Sequence, residues 1–279
     1  MANVRAQIDA GLDAFERAAA HAQRAGLQNE LMEWRSVMRF NGTTPVSEVL
    51  TWLNEQGERA PLNPTLRGCR ANVLAMLGRF DEARATLAEV RAELADRGGG
   101  TWLATLTGMT SLEVELLAGD PEAAVAFGAE GCRQLDELGE RGYLSTAAGG
   151  LAQAFYALGR LEEADAWAGR AAELGASDDL YTQILWRQVR AKVLARYGDF
   201  AEAERLAREA VAIGERTDML DQQGSTHADL AEVLSLAGRS KEAAEALEQA
   251  LARYNRKGNL VAARRIAARR AELRTVAPR

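Results

Sequence analysis

Residues 184–220 read ILWRQVRAKVLARYGDFAEAERLAREAVAIGERTDML. Two runs with apolar residues at helical spacing flank Gly198, and the hexapeptide GDFAEA that starts there is one of five. The others are GRFDEA (78–83), GDPEAA (119–124), GRLEEA (159–164) and GRSKEA (238–243). Successive turn glycines, Gly78, Gly119, Gly159, Gly198 and Gly238, lie 41, 40, 39 and 40 residues apart. A helix, a glycine turn and a second helix recurring at this period predict an all-α, right-handed superhelical solenoid of antiparallel helix pairs with repeats of about 40 residues.

The positions around each glycine follow packing logic. Seven residues before it stand Ala71, Leu112, Ala152, Ala191 and Ala231; five after it stand Ala83, Ala124, Ala164, Ala203 and Ala243. Twelve after it stand Val90, Gly131, Ala171, Ala210 and Ala250. Small side chains here let helices approach closely. Four before the glycine, Leu74, Phe155, Leu194 and Leu234 are expected to fill the space between, and Phe80, Leu161 and Phe200 to plug the turn. The second repeat departs at Leu112, Glu115 and Gly131, which predicts helices shifted in phase there.

About fourteen helices are expected in one solenoid domain spanning 1–279, with alternating strand-like stretches absent. Residues 1–63 form irregular N-terminal helices, at roughly 3–25, 28–39 and 44–56. Residues 64–256 hold five pairs, at 64–77 and 80–97, 101–118 and 121–138, 143–158 and 161–175, 180–197 and 200–216, and 222–237 and 240–256. Residues 257–279 form a basic capping helix, carrying Lys257, Arg264, Arg265, Arg269, Arg270, Arg274 and Arg279 against Glu272 alone. A solvated cap and a dock for acidic partners both fit that charge.

The net charge of −6 argues against nucleic acid as the main partner. The N-terminus has no signal-peptide pattern and no run of about 18 apolar residues exists, so a cytoplasmic chain with no membrane role is expected. Cys69 and Cys132 sit in different repeats and are read as free structural thiols. His21 and His227 are the only histidines, no phosphate-binding glycine loop occurs, and no catalytic, cofactor or metal site is expected. Glu82, Glu163, Glu202 and Glu242 lie in first helical turns and complement the helix dipole.

A small residue in the first helix, a glycine turn and two alanines in the second together resemble the tetratricopeptide repeat, in its long-repeat form, over about 64–256. The wording of TPVSEVLTWL (44–53), RANVLAMLGRFDEARATL (70–87), DLAEVLSLAGRSKEAAEALEQAL (229–251) and YNRKGNLVAARR (254–265) is closer still to one group. From about Thr43 to the end the chain resembles the C-terminal tail of large actinobacterial regulators. In those, an adenylate-cyclase-like or winged-helix output module and an AAA-type ATPase precede a tetratricopeptide tail. The resemblance implies a sensory or docking module of a bacterial signalling or transcription regulator, without the cyclase or ATPase.

In tetratricopeptide arrays the first helix of each pair lines a concave groove. Six residues before each turn glycine stand Asn72, Glu113, Gln153, Lys192 and Glu232, an unbroken polar ladder. Tyr156, Gln188, Arg196 and Asp229 share its face. This predicts a groove for an extended protein or peptide segment, with a small molecule held inside the superhelix as the alternative. A solvated inner wall would look the same. Trp102, Trp167 and Trp186 are read as core, and Trp34 and Trp52 as covering an open end of the solenoid. Exposed solenoid ends can pair, which leaves a homodimer open.

Overall fold

The computed structural model describes residues 7–25, 28–59 and 61–276, so residues 3–6 of the expected first helix and 277–279 of the cap lie outside it. Among the described residues the chain is helical throughout. Three N-terminal helices, α1 (Ile8–Ala25), α2 (Gln28–Asn41) and α3 (Val46–Arg59), precede the array. The pairs are α4 (Pro64–Met76) with α5 (Phe80–Asp96), then α6 (Gly100–Thr105) and α7 (Leu112–Ala118), one rod joined by a π-helical turn, with α8 (Pro121–Glu137). There follow α9 (Arg141–Ala157) with α10 (Leu161–Leu174), α11 (Leu180–Tyr197) with α12 (Phe200–Gly214), and α13 (Leu220–Leu236) with α14 (Ser240–Lys257). Helix α15 (Leu260–Val276) closes the chain.

The five turn glycines all adopt positive φ, between +74° and +88°. An L side chain is strained there, and the glycine ends each first helix in a Schellman-type closure. The residue after each glycine donates its N–H back to the carbonyl five residues earlier: Arg79 to Leu74, Asp120 to Glu115, Arg160 to Phe155, Asp199 to Leu194 and Arg239 to Leu234, at 2.9–3.0 Å. The second helix then starts in one of two ways. Asp120 and Asp199 cap it by accepting the N–H groups of Ala123 and Glu202. Where arginine follows the glycine, Arg79, Arg160 and Arg239 instead pair with Glu82, Glu163 and Glu242 one turn on. Three of the four first-turn glutamates, Glu82 and Glu242 with these arginines and Glu202 with Arg205, are bidentate arginine partners as well as dipole complements.

The small positions are buried as the pattern requires: Ala71, Ala152, Ala191, Ala83, Ala124, Ala164, Ala203, Ala243, Val90, Ala171, Ala210 and Ala250 are wholly inaccessible. Three aromatic expectations are corrected. Trp102 is half exposed, because α6 is only the first stretch of a rod that the π turn re-aims, and Phe200 is 40% exposed at its turn. Trp34, expected as a cover, stacks on Phe15 of α1 with its outer side in solvent. Trp52 lies under the guanidinium groups of Arg35 and Arg39 at 5.5 and 5.0 Å. Cys69 and Cys132 are free and buried.

The phase shift of the second repeat is the π turn Leu106–Ser111, which accommodates the extra residue of its 41-residue spacing. Ser111 Oγ bonds the carbonyl of Leu106 and accepts from Arg91 Nη1 at 2.8 Å. At this point Gly108 and Gly131 let two helices touch backbone to backbone: a Cβ on Gly131 would stand 2.2 Å from the Gly108 Cα. Glu115, where a leucine belongs, is buried and bonded to Arg84 of α5 through both oxygens.

The ends of the solenoid are not free. Lys257, fully buried at the end of α14, donates to the carbonyls of Gly42 at 2.8 Å, Thr44 at 2.9 Å and Arg39 at 3.3 Å, all at the α2–α3 turn. Helix α1 packs Ile8 on Met38 and Met219, beside Leu180 and Tyr181, and its Asp9 N–H donates to Asp218. From the opposite edge α15 crosses back, with Arg265 donating to the carbonyls of Leu116 and Leu117. Arg269 and Arg270 of α15 reach Glu232 and Glu248. The array is a closed ring, and its basic cap binds its own acidic body. The exposed ends on which a homodimer would rest are occupied within one chain.

Two outcomes follow from this packing. Gly131→Ala should cost about 1–3 kcal/mol in urea denaturation, because a backbone and not a side chain must yield. Gly169→Ala, in α10 with no atom within 4 Å of its Cβ, should instead gain ~0.5–1 kcal/mol. Lys257→Met keeps the stem but leaves three carbonyls without their donor. It should cost about 3–5 kcal/mol, with hydrogen exchange rising first in α1 and α2.

Candidate functional site

First helices present the same face inward at every repeat, so the ladder converges on the ring axis. It divides into two groups. Toward the turn edge, Tyr156 donates to Glu232 at 2.5 Å and accepts from Arg196 Nε at 3.1 Å. Lys192, buried, lies 3.1 Å from Asp229 and 4.7 Å from the centre of the Tyr156 ring. Arg196 and Arg269 both reach Glu232, at 3.5 and 3.7 Å. Lys192 and these arginines hold the Glu232 carboxyl below its usual range against burial, which acts the other way. Every charge here has a partner.

Toward the other edge the polar groups surround a cavity of about 210 Å³, partly open to solvent. Asn72, Glu113, Gln153, Tyr181, Gln222 and Ser225 face it from α4, α7, α9, α11 and α13, and Arg265 faces it from α15. Met76, Met109, Leu112, Leu116 and Leu185 supply apolar wall. Asn72 Nδ2 donates to Glu113 Oε2 at 3.3 Å, and Tyr181 Oη donates to Glu113 Oε1 at 3.1 Å. Gln188 donates to Ser225 and accepts from Gln222, both at 3.0 Å. Asp221 also lines the cavity and accepts from Asn259, whose own Oδ1 caps α15 by accepting the N–H of Ala262. Burial pushes the Glu113 carboxyl up to about 7 and raises that of Asp221.

Asn72, Glu113, Gln153 and Gln188 of the expected site therefore meet at or beside the cavity, while Tyr156, Lys192, Arg196, Asp229 and Glu232 meet in the ion cluster. The ladder is not an open row along a groove: its members bond one another, and α1 and α15 cross the two edges. Trp186 lies under Arg187 at 4.0 Å and packs on the core, as expected. Sequence reasoning missed Asp221, Gln222, Ser225 and Arg265. The first three continue the ladder face toward the start of α13, Asp221 eleven residues before Glu232, as Tyr181 stands eleven before Lys192. That helical spacing was a usable signal. Arg265 had none, since it reaches the cavity only because the ring closes. Among the described residues no group of three or more His, Cys, Asp or Glu could hold a metal ion, and no helix is long and apolar enough to cross a membrane.

Tetratricopeptide repeat families match residues 181–256, and 64–89 with 145–170. Over those residues the chain carries tetratricopeptide repeats. Among solved structures it is similar to the apo form of the quorum sensor NprR from B. thuringiensis, at 12% identity and TM-score 0.53, covering 95% of this chain and 82% of that one. It is similar to a tetratricopeptide repeat protein from Parabacteroides merdae, at 12% identity and TM-score 0.52, over 93% of this chain and 92% of the other. BtubC from P. vanneervenii aligns at 15% identity and TM-score 0.48, over 98% and 94%. The first two likenesses show the fold. No curated protein matches the sequence.

The Glu113 carboxyl sets a pH dependence. Its folded midpoint of about 7 lies above the ordinary 4.5, so the native state holds the proton more tightly than the unfolded chain. Stability from this group is present in full below pH 4.5 and is lost as pH rises through 7. Thermal unfolding should lose at most about 3 kcal/mol more in the wild type than in Glu113→Gln across that window.

Proposed function

We propose that the protein is a non-catalytic tetratricopeptide sensor module, which holds a small molecule at the centre of its ring as part of a bacterial signalling or transcription regulator. The observation that carries this reading is the convergence of five first helices and α15 on one cavity with polar and apolar walls. Such a lining is that of a ligand pocket. At about 210 Å³ the cavity is below the ~300 Å³ at which drug-sized pockets begin, and it holds the volume of roughly seven waters. A small metabolite fits this space. The resemblance of the chain to regulator tails supports the sensory role.

Docking of a protein partner is the second reading, and one observation favours it. Tyr197 and Phe200 flank the α11–α12 turn, 61% and 40% exposed. They present an aromatic pair outside the ring, where a partner needs neither α1 nor α15 to move.

A metabolite panel read by thermal unfolding tests the first reading. A ligand at one hundred times its Kd should add ~2.7 kcal/mol. Gln153→Trp, which places a bulky ring in the cavity from a side chain that bonds no other described residue, should abolish that gain and leave the protein folded. A gain that survives Gln153→Trp places the ligand elsewhere. The second reading requires that Tyr197→Ala with Phe200→Ala release a captured partner while the unfolding temperature stays unchanged.

A further inference from the structure

The polar groups around the cavity are not balanced. Asn72 is 7% exposed, and its Oδ1 is buried with no hydrogen-bond partner. With Glu113 ionised, the bond of Nδ2 to its carboxylate sets the amide orientation, since the reversed amide would set an oxygen against a carboxylate. The orphan is therefore an acceptor. Beside it the Glu113 carboxylate has two neutral donors and no cation within ion-pair distance among the described residues.

Of the donors facing the cavity, the amide of Gln153 is uncommitted but makes no bond to these acceptors, and the others are engaged elsewhere. Tyr181 donates to Glu113 itself, and Gln222 Nε2 to Gln188. Ser225 donates to the carbonyl of Gln222. Arg265 donates to the carbonyls of Leu116 and Leu117, and Lys257 uses its three N–H groups on three carbonyls. The charged groups facing the cavity or next to it are Glu113, Asp221, Arg265 and Lys257. Lys257 offsets Asp221, which also accepts from Asn259. Glu113 is left without an opposite charge. A buried carboxylate in that position is either protonated or waits for a cation.

We infer that the cavity takes a small organic cation bearing N–H donors, an alkylammonium or guanidinium compound, with its charged head between Asn72 Oδ1 and the Glu113 carboxylate. This rests on the reading of the cavity as the ligand site. One head group of this kind supplies both missing interactions: a donor for the orphan oxygen and a charge for the carboxylate. Its short carbon chain lies against Met76, Met109 and Leu185. An anion would meet Glu113 and Asp221, with only Arg265, already bonded to the end of α7, in its favour, and a neutral polyol would leave Glu113 unpaired.

The test is titration calorimetry of the full chain at pH ~8, above the Glu113 midpoint of about 7. The probes are agmatine and putrescine, with tetramethylammonium, propionate and glucose as comparisons. The expected result is binding of agmatine or putrescine, with an unfolding temperature raised by ~5–10 °C at one hundred times Kd. Glu113→Gln should weaken it at least about tenfold. Asn72→Leu removes the orphan acceptor and gives an independent reading should the first variant fold poorly. Gln153→Trp should abolish binding, and tetramethylammonium, which has no N–H, should bind far less well. Failure of both amines to bind at millimolar concentration overturns the inference, as does amine binding that ignores Glu113→Gln and Asn72→Leu alike. Glucose or propionate binding that Gln153→Trp abolishes would overturn the cationic class and leave the sensor reading standing.

Discussion

The ring depends on where the ammonium of Lys257 goes. An ammonium carries three N–H donors and tolerates burial only if all three are answered. Here the answer is three backbone carbonyls at the α2–α3 turn and no carboxylate in direct contact. The carbonyl of Arg39 lies in the last turn of α2, where helix carbonyls lack intrahelical partners and the dipole is negative. One side chain thus satisfies the frayed end of α2 and pins the last repeat to the N-terminal helices. Burial pushes its ammonium down to about 8, so it still carries its charge at neutral pH. Without this bond the superhelix would have two ends and no interior, and the polar ladder would face solvent.

The array was legible because its causes are local. Each glycine turn, each small residue and each first-turn acid acts within about fifteen residues of its cause, and the repetition multiplies the signal five times. Even the irregular second repeat announced itself. An extra residue between Gly78 and Gly119, a glutamate where leucine belongs and a glycine at position 131 together mark the π turn. The closure was not legible. Lys257 meets Gly42 across 215 residues, and Arg265 meets Leu117 across 148. No periodicity links such partners, and a basic helix after the last repeat reads equally as a solvated cap. The same limit explains the ladder. Its residues were identifiable on one helical face, but whether that face meets water or another helix is a property of the closed ring.

Closure also explains why one ladder holds two kinds of chemistry. At the turn edge α15 brings Arg269 against Glu232, and in the cluster with Lys192, Asp229, Tyr156 and Arg196 every carboxylate is ion-paired. It rigidifies the ring and offers a ligand little. At the cavity Arg265 points its guanidinium to the carbonyls of Leu116 and Leu117 at the end of α7, and makes no ion pair with Glu113. The helix that adds a cation to one half of the ladder makes no ion pair with Glu113 in the other half.

The cavity and the closure therefore share parts. Asp221 lines the cavity and holds Asn259, Asn259 caps α15, and Arg265 of α15 lines the cavity in turn. An occupant that shifts either charged group acts on the helix that closes the ring. Ligand can bias a conformational equilibrium only through contacts that differ between the two states. Contacts to Asp221 and Arg265 differ by construction, because both are complete only while α15 is seated. Under the reading of the cavity as a ligand site, occupancy of the centre bears on the seating of the helix that closes the ring.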